Sequence, residues 1–192
     1  MSSQVSALPR RGLNARQAET VERLMAAGLD ELRAVGHEAL TVRTVAQRAG
    51  VSPATAYTYL ASKNHLFAEL FWRFLAEDEH EPEGSGVVER VQSVTRHLAR
   101  RLADAPELAA AVTPALLGRD PDVERLRLRI GAELVERFRA ALGPDADPVV
   151  VETVALAFSG ALLQGGMGLM TYTEMGERLD DVVAVIMRGH PT

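Results

Sequence analysis

Apolar residues recur every three or four positions along most of the chain, a spacing that is typical of amphipathic helices. The first such stretch runs from about Ala15 to Val35, and Gly36 follows at a position where a helix is expected to end. Its apolar face comprises Val21, Leu24, Met25, Gly28, Leu32 and Val35. No segment alternates polar and apolar residues as a half-buried strand does, so the pattern predicts an all-α fold of about nine helices.

Residues 41–63 carry the most informative pattern, because two short helices are predicted there on either side of a glycine turn. Thr41 can cap the first helix, whose apolar stripe is formed by Val42, Val45, Ala46 and Ala49. Gly50 ends this helix, and Ser52 followed by Pro53 predicts the start of the second. With the preceding helix, they predict a three-helix head that contains a helix-turn-helix, followed by a helical body.

Hydroxyl and phenol side chains follow Pro53 and are expected on the outer faces of the second helix. Such groups suit phosphate oxygens, base edges and thymine methyl groups in the major groove of DNA. The stretch AGVSPATAYTYLASKNHLF resembles the helix-turn-helix signature of the TetR family of bacterial transcriptional regulators, and the specific resemblance covers roughly residues 14–67. Double-stranded DNA is therefore the expected partner.

The resemblance, carried over by position, implies a set of DNA contacts. These are Arg43, Ser52, Thr55, Tyr57, Thr58, Tyr59 and Lys63. The arginine and the threonines are implied to contact bases, and the tyrosines and the lysine to contact phosphates. Ala54 departs from the family pattern, which usually has glycine there, and His37 stands where an aromatic residue is common. A structural interpretation also stays open, in which the tyrosines pack and the lysine is a solvated side chain at a helix start.

The predicted organisation has three parts. Residues 1–13 are expected to form a flexible arm, residues 14–61 a DNA-binding domain, and residues 62–192 an effector-binding and dimerisation domain. In the body, Pro114 is expected to bend or end a short helix that Pro106 opens. The other body helices are predicted at about residues 62–77, 87–103, 121–142, 148–170 and 175–188.

The body contains more apolar residues than mutual packing of its helices requires, which predicts a cavity for a small, mainly hydrophobic effector of unknown identity. Its predicted lining is Phe71, Phe74, Leu98, Leu116, Ile130, Leu134 and Phe138, with His97 or Gln164 orienting the ligand. The alternative is that these apolar side chains simply fill the core.

Residues 148–170 are apolar on nearly every face, although a helix covered on one side by its own chain should carry a polar stripe. Glycines inside this predicted helix suggest that a neighbouring helix approaches closely. With residues 175–188, it is expected to form a four-helix bundle in a homodimer, as the family resemblance also implies. The predicted interface comprises Gly160, Gly165, Gly168, Leu179, Val183 and Ile186. Tight packing within one subunit is the alternative.

Charge is divided unevenly along the chain, whose net charge is −5. Residues 1–65 hold eight basic and five acidic side chains, whereas residues 66–192 hold 13 basic and 21 acidic side chains. A positively charged head therefore precedes an acidic body. The chain contains no cysteine, which excludes disulfides and thiolate metal sites, and its N-terminus lacks the apolar segment of a secretory signal. We therefore expect a cytoplasmic protein.

The 21 residues from Thr153 to Thr173 carry no charge, which makes a membrane helix one interpretation of this stretch. Their glycines and polar residues, and the acidic rather than basic residues on both sides, favour a buried helix without membrane insertion. The five histidines are scattered and no catalytic fingerprint is present, which predicts no metal, no cofactor and no enzymatic activity.

The predicted function is that of a transcriptional repressor that a small effector releases from a palindromic operator. Two alternatives remain at this point. One is a DNA-binding protein without a small-molecule ligand, either architectural or controlled by a protein partner. The other is a helical enzyme or carrier in which the motif has lost its role.

Overall fold

The computed structural model describes residues 15–189, and every regular element within this range is a helix. The predicted all-α fold is confirmed, whereas the predicted arm at residues 1–13 lies outside the described residues. The helices in chain order are α1 (Ala15–Ala39), α2 (Val42–Arg48), α3 (Pro53–Tyr59), α4 (Lys63–Ala76), α5 (Val87–Ala103), α6 (Pro106–Leu117), α7 (Pro121–Leu142), α8 (Pro148–Gly166) and α9 (Tyr172–Arg188).

Most helix starts are fixed by side-chain caps, which accept hydrogen bonds from backbone N–H groups that have no partner in the first turn. A hydroxyl or carboxylate does this at α2, α3, α4, α8 and α9. The capping residues are Thr41, Ser52, Ser62, Asp147 and Thr171. These boundaries agree with the caps that the sequence predicts for α2 and α3.

Of the two outcomes predicted at Pro114, a bend or an end of the helix, the end is wrong, and the predicted end of α8 is corrected. Helix α6 continues through Pro114 to Leu117. Pro114 has no N–H to donate to the carbonyl of Ala110. Ala110 is exposed, so water can bind that carbonyl instead. Helix α8 ends at Gly166 and not near residue 170. Gly168 has φ +73°, and the N–H groups of Gly168 and Leu169 bond back to Gly165 and Gln164, which closes the helix with a Schellman motif.

The described chain divides into two compact units. Unit 1 is the described part of Met1–Asp78 together with Ala110–Arg127, and unit 2 is Glu79–Ala109 with the described part of Leu128–Thr192. Unit 1 is larger than the predicted DNA-binding segment 14–61, because α4 and parts of α6 and α7 cluster with the first three helices.

In unit 1, α1 packs against α2 and α4, and α2 packs against α3. Leu24 and Leu32 of α1 are fully buried, as predicted, while Val35 at the end of the same face is 46% exposed. Gly28 allows close packing of α1 on α4, since a Cβ there would lie 2.9 Å from a methyl carbon of Leu66. The core of this unit therefore holds the helix-turn-helix from behind.

In unit 2, α9 packs against α5 and α8. The α5–α9 contact is close at Gly176, where a Cβ would lie 3.2 Å from the Cβ of Ala99. Phe138 of α7 and Phe158 of α8 are both buried, with ring centroids 5.5 Å apart. The apolar face of α9 is consequently used, at least in part, within its own chain.

Candidate nucleic-acid interface

Helix α2 begins with a reciprocal pair of threonines. The Thr41 hydroxyl accepts from the backbone N–H of Thr44 at 3.1 Å, and the Thr44 hydroxyl accepts from that of Thr41 at 3.2 Å. This capping box satisfies two backbone donors that the helix itself leaves unpaired. It fixes the start of α2, on which Arg43 is exposed.

The turn into α3 depends on Gly50, whose φ of +66° lies in the left-handed region that side chains with a Cβ disfavour. Ser52 then accepts from the N–H of Thr55 at 3.1 Å, and Pro53 occupies the first helical position. Ala56 and Leu60 are fully buried and hold α3 against the rest of the head. The other faces of α3 are thereby left for polar and aromatic side chains.

The predicted DNA contacts on α3 lie on one short helix, but they differ in their exposure and in their hydrogen bonds within the chain. Tyr57 is 55% exposed, whereas Tyr59 is half-buried. The exposed Thr58 donates its hydroxyl to the Ala54 carbonyl at 3.1 Å. The hydroxyls of Ser52 and Thr55 lie 2.9 Å apart, so both belong to the cap. Among the members that do not belong to the cap, Tyr57 and Thr58 are therefore the exposed ones.

Lys63, predicted to contact a phosphate, has a structural role that the sequence did not indicate. Its ammonium group donates to the carbonyls of His37 at 3.0 Å and Glu38 at 3.2 Å, at the end of α1. The side chain is half-buried. Since an ammonium group has three N–H donors, these two bonds leave one for any further acceptor.

Two ion pairs also hold the head together, and the sequence pattern does not predict them because it does not pair charges that are distant along the chain. Arg48 of α2 donates to the buried Glu31 of α1 at 2.7 Å, and this hydrogen bond holds the pKa of Glu31 below its usual value. Arg73 of α4 donates two hydrogen bonds, of 2.6 and 2.9 Å, to the carboxylate of Glu22 of α1, and these bonds lower the pKa of Glu22. Both pairs fix α1, the support of the helix-turn-helix.

Comparison with known proteins identifies this architecture. The profile of the family described as "Bacterial regulatory proteins, tetR family" matches residues 24–70. An uncharacterized HTH-type transcriptional regulator of Mycobacterium tuberculosis (strain ATCC 25618 / H37Rv) is 46% identical over 183 residues, which cover 92% of this chain and 84% of that protein. This chain belongs to the TetR family. It is a DNA-binding transcriptional regulator.

Solved structures show the same TetR-family fold. A TetR transcriptional regulator from Rhodococcus sp. RHA1 superposes with a TM-score of 0.79 at 18% identity, covering 94% of this chain and all of that one. FadR of Thermus thermophilus is a TetR-family transcriptional repressor whose structure was solved in complex with lauroyl-CoA. It superposes with a TM-score of 0.61 at 23% identity, covering 89% of this chain and 95% of that one. At these identities the likeness shows the fold and does not define a ligand.

The predicted effector-lining residues of this TetR-family chain fall into two groups. One group, Phe71, Phe74 and Leu116, belongs to unit 1, and Phe71 and Phe74 are stacked with ring centroids 5.8 Å apart. The other group belongs to unit 2 and comprises His97, Leu98, Ile130, Leu134, Phe138 and Gln164. The apolar members of that second group are buried, whereas Gln164 is exposed.

Unit 2 also contains a half-open cleft of about 430 Å³ that is lined mostly by polar and charged residues, although half of its lining surface is apolar. Arg96 reaches within 3.5 Å of Asp180 there, and burial raises the pKa of the Asp180 carboxyl. His80, at one wall, is stacked on His97 with ring centroids 3.9 Å apart. The lining residues are His80, Glu83, Ser93, Arg96, Ala99, Arg100, Tyr172, Thr173, Gly176, Glu177 and Asp180.

The predicted dimer residues are only partly on the surface. Leu179 and Val183 are 3% and 1% exposed and belong to the core of unit 2, a correction that follows from the packing of α9 on α5 and α8. A Cβ at Gly165 would lie 3.0 Å from the ring of Tyr172 in the same chain, so this glycine serves an internal contact. Gly168 lies after α8 in the turn described above. Gly160 alone of these glycines is an exposed helical position with open space beyond it, and Ile186 is half-buried.

Within residues 15–189, no group of three or more histidine, cysteine, aspartate or glutamate side chains is arranged to hold a metal ion. Helix α8 is long and apolar enough to cross a membrane, since an 18-residue stretch of it has a mean hydropathy of 1.5, with 22% of that stretch buried. A helix in a protein–protein interface meets the same criteria of length and composition.

Proposed function

We propose that the chain is a repressor that reads a palindromic operator through α3, inserted in the major groove of each half-site. The observation that carries this proposal is the exposed pair Tyr57 and Thr58 on a helix whose start is capped and whose opposite face is buried. Thr58 and the exposed Arg43 are proposed to contact bases, and Tyr57 a phosphate. Lys63 contributes chiefly by holding the end of α1.

A homodimer supplies the second reading helix, because a single α3 spans only a half-site. We propose that α8 and α9 form the interface. The support is a set of large apolar side chains exposed in the isolated chain, namely Leu156, Met167, Leu169, Val182 and Val185. Monomeric proteins rarely leave such a group uncovered. Gly160, with open space beside it, lies on the exposed side of α8 and allows a second helix to approach.

A small-molecule effector is proposed to release the operator by favouring a conformation whose reading helices do not fit both half-sites. The complex of the Thermus thermophilus repressor FadR with lauroyl-CoA shows that the fold accommodates a ligand with an apolar chain. The buried apolar residues of unit 2, including Ile130, Leu134 and Phe138, favour a hydrophobic effector. The polar cleft of unit 2 favours a charged one. We further propose that the protein acts in the cytoplasm and without a cofactor.

The test is selection of bound sequences from a random double-stranded DNA library by the full-length protein. We expect enrichment of one two-fold symmetric motif with half-site centres about one helical turn apart. Thr58→Ala should then change the base preferred at one position of each half-site, whereas Tyr57→Phe should weaken binding to all related sites alike. Enrichment of no motif would overturn the proposal.

The effector is tested on that operator with two panels, one of fatty acids and their coenzyme A thioesters and one of free amino acids and polyamines. Release by members of the first panel supports the hydrophobic interior, and release by the second supports the cleft. Operator affinity that is unchanged by both panels would favour a regulator controlled by a protein partner.

A further inference from the structure

A polar joint in unit 1 connects two segments that are 58 residues apart in sequence. The hydroxyl of Ser62, at the start of α4, donates a hydrogen bond to the Oδ2 atom of Asp120, at the start of α7. Both residues are half-buried. A hydrogen bond to a carboxylate is stronger than one between neutral groups, and partial burial protects it from competition with water.

Each partner in this hydrogen bond is also the cap of its own helix. Ser62 accepts from the backbone N–H of His65 at 3.0 Å, and the Oδ1 atom of Asp120 accepts from that of Asp122 at 3.0 Å. The joint therefore connects the first turn of α4 directly to the first turn of α7. It does not depend on a long, freely rotating side chain.

The recognition helix ends immediately before this joint. The N–H of Leu60 makes the last α3 hydrogen bond, to Ala56 at 2.8 Å, so Leu60 and Ala61 alone separate the end of α3 from Ser62. Ala61 is itself held, since its N–H donates to Nδ1 of His65 at 3.2 Å. The position of Ser62 thus limits where α3 can lie.

The Asp120 side of the joint is braced as well. Arg127 donates to the carbonyls of Leu116 and Gly118, both at 2.7 Å, and so fixes the segment between α6 and α7. Asn64 of α4 lies beside that segment, 3.6 Å from where a Cβ of Gly118 would be. Asp120 is accordingly a fixed point, to which Ser62 is attached.

We propose that Asp120 is a positioning residue for operator recognition, which it serves through Ser62 by holding the end of α3. This inference rests on the proposed role of α3 as the reading helix. Asp120 need not touch DNA, and its loss leaves the contacts of α3 intact but less well oriented. Specific binding depends on that orientation, whereas non-specific binding depends mainly on charge.

The chain offers a matched control. Asp147 also precedes a proline and also caps its helix, accepting from the N–H of Val149 at 2.8 Å at the start of α8. Asp120→Ala is expected to lower operator affinity roughly tenfold, the lower end of the effect of one charge-assisted hydrogen bond, with binding to unrelated DNA unchanged. Asp147→Ala, which loses a cap without the joint, should keep the operator affinity within about twofold.

Two further variants separate positioning from general destabilisation. Asp120→Asn retains one oxygen, which can accept from the Asp122 N–H as the cap does, and its amide group can donate to the Ser62 hydroxyl, so this variant is expected to restore part of the operator affinity. In a Ser62→Ala background, Asp120→Ala should have no additional effect on operator binding, because the joint is already broken. Hydrogen exchange should be faster at residues 60–65 in Asp120→Ala than in Asp147→Ala.

Affinities are measured by fluorescence anisotropy on the selected operator and on an unrelated duplex of equal length. The inference is overturned if Asp120→Ala binds the operator as the wild type does, if Asp147→Ala loses as much, or if the Asp120→Ala effect persists in Ser62→Ala. Failure of the wild type to prefer any sequence would instead overturn the proposed function.

Discussion

At the scale of single residues, the structure separates side chains that face outward from side chains that hold the head together. Lys63 shows the distinction, because the family resemblance implies a phosphate contact and the ammonium group instead lies against two α1 carbonyls. Residue type and position in a motif do not reveal this, since the carbonyls belong to residues about 25 positions earlier in the chain.

Substitution of Lys63 by alanine should lower the free energy of unfolding by about 1–3 kcal/mol, because two carbonyls lose a charged donor. Arg43→Ala is the control on an exposed position, and should change that free energy by less than about 0.5 kcal/mol. Arg43→Ala should instead reduce the free-energy difference between the preferred base and the other bases by about 1–3 kcal/mol at one position of the half-site. Urea unfolding and operator binding give the two quantities, and an unchanged stability for Lys63→Ala would assign that lysine to DNA alone.

The Glu31–Arg48 pair predicts a pH-dependent stability. The pKa of Glu31 is depressed in the folded state, so its stabilising contribution is complete above the unfolded value of about 4.5 and is lost as the pH falls through the folded pKa. Glu31→Gln should therefore lower the free energy of unfolding by about 1–3 kcal/mol at pH 7. This difference should shrink below pH 4.5.

The control for that experiment is Glu38→Gln, at an exposed position near the end of α1. Its unfolding curve should match that of the wild type at every pH. A difference between wild type and Glu31→Gln that stayed constant down to pH 3 would contradict the assignment, because it would not involve a titrating carboxylate.

At the scale of elements, the turn between α2 and α3 depends on backbone conformation. Gly50 has φ +66° and no neighbour near the position of a Cβ, so Gly50→Ala introduces strain without a steric clash. We expect a loss of about 1–2 kcal/mol in the free energy of unfolding, the cost of a left-handed conformation for a residue with a Cβ. Thermal unfolding monitored by circular dichroism measures this.

Gly86→Ala is the matched control, since Gly86 also has free space around it but adopts φ −119°, which alanine accepts. Its unfolding temperature should stay close to that of the wild type, because the weaker N-cap that alanine gives α5 is offset by the reduced entropy of the unfolded chain. Equal losses for the two variants would mean that the turn tolerates a different backbone conformation.

At the scale of the whole molecule, the dimer is the central prediction. Leu156 on α8 is 66% exposed in the single chain, and Leu156→Glu should give monomers, because a charge would be buried without a partner in the proposed interface. Helical content should remain as in the wild type, and affinity for the full operator should fall. Sedimentation velocity at micromolar concentration distinguishes the two states.

Leu128→Glu tests whether any exposed leucine would have this effect. Leu128 on α7 is 70% exposed but lies outside α8 and α9, so this variant should remain a dimer. A wild-type protein that sediments as a monomer would defeat the proposal, as would dissociation of both variants.

Local features of the sequence specify the type and the order of the helices, because caps, glycine stops and apolar periods act between residues that are close along the chain. They also locate the helix-turn-helix, since Thr41, Gly50 and Ser52 specify their own local geometry. Which partner each helix face contacts depends on how the chain folds. Leu179 and Val183 had the period of an interface and lie in the core, because the same apolar pattern serves contacts within a chain and between chains. The Ser62–Asp120 joint likewise required folding, which brings together side chains 58 residues apart.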